Sequence, residues 1–505
     1  MNNINYLCGI DIGTGGAKII LVNAESGKID FSVTKFYDLH TPKPLWAEQE
    51  PTDWWGAVCE GLQELTSKID KNNIKAVGLT GQMHSSVFLD KNNNSIREAI
   101  LWCDQRTAEE CEILTSKIGK EKLVKITCNP MLTGFTAPKI EWLKRNEKEN
   151  FEKIKKILLP KDYIRFLLTG EYATDVSDAS GMGLFDVPKR CFSKEILSAC
   201  GYDRDWFGES FESSSVTGTV TKEASEKTGL PEGIPVIAGG GDNAASAIGN
   251  TIVEEGKVFN SIGTSGVVFA YADKPILDPK LRTHTFCHAV PGKWHIMGVM
   301  LSAGGSLKWY KDTFCDIEKY SAEKEACDVY DILNKKASQI PIGCEGLTFL
   351  PYLSGERCPY PDPYARGCFF GMTLKHTRDH FTRSVFEGIS FGLNDSFDIL
   401  KEMKVPIKQA VATGGGARSD FWKQMLADIT GIPHATVEND EGPSYGAALL
   451  AGVGCGIYSS VIEASKQNKI VSLKEPKAEN TKLYQAPMKI YKALYPKVES
   501  LFKEI

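Results

Sequence analysis

The sequence predicts an α/β protein made of two related domains that face a common cleft. Three observations carry the prediction. One short phrase occurs in both halves of the chain, as Ile12-Gly13-Thr14-Gly15-Gly16 and as Ile262-Gly263-Thr264-Ser265-Gly266, each time between β-rich runs. Elsewhere, strand-like segments run straight into glycine turns that open helices, the pattern of α/β units. The length of 505 residues exceeds what one hydrophobic core supports, so the chain divides into two large domains or three average ones.

The first hairpin joins the run from Tyr6 to Asp11 to that from Ala17 to Val22; the second joins Val258 to Ser261 with Val267 to Ala270. Glycines let backbone N–H groups approach an anion, and the threonine adds a hydroxyl donor. Two such turns facing each other would hold a polyphosphate. The copies differ at one position, since Asp11 has Ser261 as its counterpart. A carboxylate beside only one turn suits a single Mg²⁺ bridging to phosphates. One Gly-Thr-x-Gly turn alone is a weak signal; the matched pair, flanked by hydrophobic strands, is the stronger one.

After the first hairpin, Thr52 is a suitable helix N-cap, and Trp54, Val58, Leu62, Leu65 and Ile69 then fall on one helical face. The run Ile74 to Thr80 reads as a strand leading into Gly81-Gln82-Met83-His84. That places His84 at a strand's carboxyl end, where ligands gather in open α/β sheets. Residues 110–230 alternate charged amphipathic helices with short loops and read as an insertion or lid packed on the first domain. Ile234 to Ala238 is a buried strand, followed by Gly239-Gly240-Gly241-Asp242-Asn243-Ala244-Ala245. Formally this fits the dinucleotide fingerprint G-x-G-x-x-A. An acidic residue intrudes at the phosphate-approach position, however, and the second hairpin begins too soon for a ribose-binding unit. Asp242 is instead placed to project a carboxylate into a cleft. In the second half, Ala412-Thr413-Gly414-Gly415-Gly416 repeats the strand-to-helix turn, and a helix from Asp420 supplies an N-terminus that favours negative charge. Gly442-Pro443-Ser444-Tyr445-Gly446-Ala447-Ala448 opens a small-residue helix suited to close packing.

Composition excludes several classes. With 42% apolar and 24% charged residues and a formal charge of −5, the chain reads as an ordinary globular protein without a polyanion-binding surface, so nucleic acid is not an expected partner. No apolar run approaches the ~20 residues needed to span a bilayer. The start lacks a basic region, and Asp11 interrupts the first apolar stretch, so no signal peptide is expected. The 14 cysteines are scattered without a C-x-x-C, the pattern of reduced thiols in a cytoplasmic protein. No Walker A sequence occurs, and His376 and His380, which could share a helix face, lack a third zinc ligand.

Taken together, the motifs resemble the FGGY family of carbohydrate kinases. The run from Gly367 through Glu387 fits the family's carboxyl-terminal pattern and accounts for His380 without a metal. Within the family the xylulose-kinase subgroup is the most similar. That resemblance rests on Gly81-Gln82-Met83-His84, Leu101-Trp102-Cys103-Asp104, Leu159-Pro160-Lys161-Asp162-Tyr163, Gly240-Gly241-Asp242-Asn243 and Leu350 through Arg357. It extends from about residue 6 to 455. The resemblance implies two ribonuclease-H-like domains, the architecture of actin and chaperone ATPases, with a hinged active-site cleft. Residues 1–249 would form the first domain, binding sugar and Mg²⁺/phosphate, and 250–505 the second, binding nucleotide.

The resemblance also implies roles. Asp242 would be the base that takes the proton from a sugar's primary hydroxyl as it attacks the γ-phosphate of ATP. Asp11 would be the Mg²⁺-linked carboxylate, Met83 and His84 the sugar-contacting pair, and Asp104 and Asn243 further hydroxyl partners. Gly13, Thr14, Lys18, Gly263 and Thr264 would cradle phosphate, with Gly304, Gly415, Gly416 and Asp420 on the nucleotide side. Gly15 departs from the family, standing where relatives often carry Ser or Thr. Met83-His84 with Trp102-x-Asp104 favours D-xylulose; ribulose, glycerol and gluconate are the alternatives within the family. A more distant alternative is an ATPase of the actin or chaperone type, which would need neither Gly240-Gly241-Asp242-Asn243 nor Met83-His84. By analogy with the family, a homodimer is expected.

Overall fold

The computed structural model describes residues 4–504. Its frame is two seven-stranded sheets of the same design. In the first sheet, Tyr6–Ile12 pairs antiparallel with Gly16–Asn23, closing the first hairpin, and parallel with Ile74–Gly81. In the second, Gly256–Ile262 pairs antiparallel with Gly266–Ala272 and parallel with Ile407–Thr413. Asp11 lies opposite Thr80 in the first sheet, and Ser261 opposite Thr413 in the second. The expected correspondence of Asp11 and Ser261 is thus a correspondence of register.

Side chains alternate across each strand with period two, and each sheet therefore serves two cores. On the outer face of the first sheet, Cys8, Ile10, Ile12, Ile19 and Leu21 pack against Trp54, Val58, Leu62 and Leu65 of the helix Pro51–Thr66. That helix is capped by Glu50 rather than Thr52. Pro51 fits its first turn, where no N–H partner is needed, and Thr52 donates its N–H back to the Glu50 carboxylate. On the inner face, Leu7, Ile20, Val22 and Ala76 meet Phe259, Phe269, Tyr271 and Val411 of the second sheet across two helices, Asp242–Gly249 and Gly442–Gly454.

The small residues of the Gly442–Gly454 helix do what their pattern predicts. A Cβ at Gly446 would lie 1.8 Å from the Ala245 carbonyl oxygen, and one at Gly78 would lie 1.9 Å from that of Ala447. Backbone touches backbone at the junction of the two sheets.

The insertion forms a helical body with its own core, including Leu114, Ile140, Leu143 and Ile196. It is not confined to the first domain. Asn129 donates to the Thr285 carbonyl at 2.8 Å, Ser180 Oγ accepts from the Cys287 N–H at 3.1 Å, and Trp294 Nε1 donates to the Val187 carbonyl at 2.9 Å. Cys287 itself belongs to the insertion's core. Charge periodicity marks such helices as exposed on one face but does not say which neighbour covers the other. Among the described residues, no helix is long and apolar enough to cross a membrane.

Candidate active site

The carboxyl ends of both sheets open on one cleft. Strand Gly240–Gly241 pairs alongside Thr80 and Gly81 and delivers Asp242 as the first residue of the Asp242–Gly249 helix. Asp11 comes from the end of the first hairpin strand. With Lys18, Asn243 and Ser261, these two carboxylates line a cavity of about 330 Å³. Asp242 accepts the N–H of Asn243 at 2.6 Å and its side-chain amide at 3.0 Å. Burial pushes the Asp242 carboxyl up to about 6, and those two hydrogen bonds oppose the shift. Asp11 is pushed up to about 7, first by burial and then by the charge of Asp242, with Lys18 acting in the other direction.

Lys18 is ion-paired with Glu441. Glu441 and its neighbour Asp440 line the same cavity and escaped the sequence reading. Their one signal, an acidic pair just before Gly442-Pro443, is common in loops.

Met83 and His84 follow directly from the strand Ile74–Gly81. Met83 packs so tightly under the Gly241–Asp242 turn that a Cβ on Gly241 would be 2.9 Å from its sulfur. His84 is held in the left-handed region at φ 67°. Its carbonyl accepts Thr136 Oγ1 at 3.0 Å and Lys139 Nζ at 2.9 Å, and its Nδ1 bonds the Gly181 carbonyl at 2.8 Å. Burial and the nearby Lys139 charge lower its pKa to about 3, so the ring is neutral at pH 7. A neutral imidazole that donates from Nδ1 carries a lone pair on Nε2, an acceptor for a hydroxyl. Lys139 was not singled out from sequence. It is fully buried, and burial lowers its pKa to about 7.

Asp104 is placed differently from the expectation. Its side chain is completely buried, and its oxygens are taken by Arg106 Nη2 at 2.7 Å and the N–H groups of Ala47 at 2.7 Å and Arg106 at 2.9 Å. With both oxygens occupied it serves the loop, not a ligand. Trp102, two residues before it, stays exposed and donates from Nε1 to Thr14 Oγ1 at 2.9 Å.

The second hairpin borders a separate cavity of about 440 Å³, which Gly263, Thr264, Gly304, Gly415 and Gly416 all line. The glycines are steric requirements: a Cβ on Gly304 would lie 2.6 Å from the Gly263 carbonyl oxygen, and one on Gly416 would lie 2.5 Å from Ile262. Tyr330, Phe386 and Trp422 supply flat apolar walls and Asn334 a polar edge. Such a lining suits a planar heterocycle. Asp420 stands outside. Its carboxylate pairs with Lys423 at 2.9 Å and Lys474 at 3.2 Å, while Ser419 already caps the helix by accepting the Trp422 N–H at 3.0 Å. His380 is a capping residue too, its Nδ1 3.1 Å from the Thr377 N–H that donates to it. Among the described residues, no group of three or more His, Cys, Asp or Glu side chains is arranged to hold a metal ion by itself.

Two sheets of one topology, whose strand residues Asp11, Ser261 and Thr413 line one cavity, define a two-domain phosphotransfer fold consistent with the actin-like ATPases. Residues 6–249 match the N-terminal domain of the FGGY family of carbohydrate kinases, and residues 258–455 match its C-terminal domain. The chain belongs to that family. It is 40% identical over 489 residues to a xylulose kinase of Escherichia coli (strain K12), covering 96% of this chain and 98% of that protein. Among solved structures, a ligand-bound xylulose kinase and a gluconate kinase, both from Lactobacillus acidophilus, each superpose with a TM-score of 0.92. Each is 28% identical and covered over 99% of both chains. The protein is therefore a carbohydrate kinase, an ATP-using transferase.

Proposed function

We propose that the protein transfers the γ-phosphoryl group of ATP to the primary hydroxyl of D-xylulose, with Asp242 as general base. The observation that carries this reading is the position of Asp242, at the mouth of the Asp242–Gly249 helix. It faces Asp11 and Lys18 in one cavity and rests on Met83 from the sugar side. A carboxylate with a pKa near 6 is mostly ionised at neutral pH yet basic enough to accept a hydroxyl proton as the nucleophile develops. His84 Nε2 and Asn243 orient the sugar hydroxyls. A buried acceptor left unpaired by the wrong sugar is what gives such a site its selectivity. The glycine turns around Thr14 and Thr264 approach the phosphates, and the second cavity takes the base of the nucleotide. In this reading residues 1–249 hold sugar and phosphate, and residues 250–505 the nucleotide.

The donor set fits Mg²⁺. Asp11 offers hard carboxylate oxygens in the cavity it shares with Asp242 and Lys18, and burial, then the charge of Asp242, pushes its carboxyl up. Mg²⁺ is commonly held by one or two carboxylates together with substrate phosphates rather than by a protein cage. When bound there, it would neutralise phosphate charge. Asp11 is the residue that would hold it, while Lys18 leaves Glu441 to meet phosphate oxygens.

The two Lactobacillus structures overlay equally well, so overall shape does not separate a ketose from an aldonate; the sequence match to xylulose kinases over nearly the whole chain favours the ketose. A homodimer belongs to the same reading by analogy with the family and is checked by sedimentation equilibrium. The deciding experiment is a coupled ATP-to-ADP assay with Mg²⁺ and D-xylulose, D- and L-ribulose, L-xylulose, xylitol, glycerol and gluconate. Selective turnover of D-xylulose is expected. Preference for another polyol would overturn the sugar assignment and leave the kinase chemistry standing.

A further inference from the structure

One buried ionic cluster lies outside the cavities and is used by none of the chemistry above. Lys161 is completely buried at the first turn of the helix Pro160–Thr169. Its Nζ reaches Asp162 at 2.5 Å, Asp175 at 3.0 Å and Asp178 at 3.5 Å. Burying a cation among carboxylates is expensive, and apolar residues of similar volume would usually serve stability as well or better. Such a cluster therefore raises the question of what it holds in place.

Its output runs through Asp175 and Ser177. The carboxylate of Asp175 accepts Ser213 Oγ at 2.9 Å, the Ser177 N–H at 2.8 Å and Ser177 Oγ at 2.5 Å. Because the Ser177 hydroxyl spends its proton on Asp175, its oxygen is left as an acceptor, polarised by the carboxylate behind it. It accepts the N–H of Gly241 at 3.0 Å. Gly241 immediately precedes Asp242 and is already tied to Gly81 by strand pairing. Ser177 closes the other side of the same peptide. The segment that follows holds two more parts of the site: Ser180 Oγ accepts Cys287 N–H of the second sheet, and the Gly181 carbonyl holds the His84 ring.

We infer that Ser177, oriented by Asp175 and through it by Lys161, is a positioning residue for the catalytic base. It fixes the Gly241 peptide so that the Asp242 carboxylate meets the sugar hydroxyl in line with the phosphate. The inference rests on the assignment of Asp242 as base. It predicts a loss in the chemical step, because small misplacements of a reacting group cost about 10- to 100-fold in rate, with little change in nucleotide binding, whose cavity shares none of these residues.

The test compares full-length Ser177→Ala, Ser177→Cys and, as a matched control, Ser213→Ala with the parent. Ser213→Ala removes a donor from the same Asp175 oxygen but leaves the Gly241 link intact. For each protein, kcat and KM are measured on whichever sugar the parent turns over best, and ATP affinity by calorimetry. Expected are a kcat about 10- to 100-fold lower in both Ser177 variants, ATP affinity within about twofold of the parent, and near-parent kcat for Ser213→Ala. The near-isosteric thiol of Ser177→Cys is a weak acceptor, so this variant carries the test if the alanine variant does not fold. Parent-like kcat in a folded Ser177 variant would overturn the inference, as would an equal fall in all three proteins. Inactivity of the parent on every sugar would instead strike the base assignment beneath it.

Discussion

Replacing Asp242 by Asn should make the protein inactive and more stable at once. The carboxyl is pushed up to about 6 in the fold, from an ordinary value of 3.8. Between those two values the folded state holds a proton that the unfolded chain has lost, so stability falls as pH rises through the window. Above it, the ionised group costs at most about 3 kcal/mol, since each tenfold change in proton affinity is worth about 1.4 kcal/mol. Asn carries no charge, and its carbonyl oxygen can still accept both hydrogen bonds from Asn243. The variant should therefore gain up to about 3 kcal/mol at pH 7.5, a rise of a few degrees in apparent Tm, and the gain should vanish by about pH 4. Sugar phosphorylation should fall by about 10²- to 10⁴-fold, the worth of a general base, with ATP affinity by calorimetry unchanged. In the parent, kcat/KM should drop about tenfold per pH unit below about pH 6, as protonation removes the base. Near-parent turnover by the variant would remove Asp242 from the mechanism. An unchanged or lower Tm at pH 7.5 would refute the assignment of strain to its charge.

Three further substitutions probe other parts of the site. Gly181→Ala puts a Cβ 2.3 Å from His84 Cε1; steady-state kinetics should show the sugar KM raised about 10-fold or more, an amount typical of a displaced hydrogen-bonding group, with the ATP KM unchanged. Gly446→Ala drives a methyl to within 1.8 Å of the Ala245 carbonyl oxygen; the forced separation of the two central helices should cost more than about 2 kcal/mol in denaturant titration. Asp420→Asn should leave the ATP KM within about twofold of the parent, since its carboxylate pairs outward with Lys423 and Lys474 and exposed pairs contribute little.

Hairpins, strands and the close-packed helix were legible because their signals are local: alternation, glycine turns and runs of small residues are written within a dozen positions. The second turn borders one cavity, and Asp11 and Ser261, equivalent by register, both line the other. What a charged side chain does was less legible. Asp420 has Lys423 one helical turn away, and Asp104 has Arg106 two residues on, so both partners were visible and underweighted against the motif. Lys18 with Glu441, and Ser177 with Gly241, are different. Each joins segments far apart in the chain, and nothing near Lys18 or Ser177 in the sequence names its partner. The walls of the second cavity, Tyr330, Phe386 and Trp422, come from three separate helices, each of which reads alone as ordinary amphipathic packing.

Other long-range contacts bear on how the two sheets can move. At its base, the helices Asp242–Gly249 and Gly442–Gly454 touch backbone to backbone, and Asn468 donates to the Gly249 carbonyl at 2.7 Å. At its side, the insertion is bonded to the second sheet through Asn129, Ser180 and Val187. A rigid opening of the two sheets would break both sets together, whereas rotation about the central helix pair spares the base. The side proposed for the sugar, built from His84, Gly181 and the Asp242 turn, is braced by these bonds and is therefore preorganised. The cavity proposed for the nucleotide is lined by residues 262–422 alone. Because the Gly263–Thr264 turn joins two strands of the sheet that the insertion bonds, those bonds tie the turn to the insertion as well.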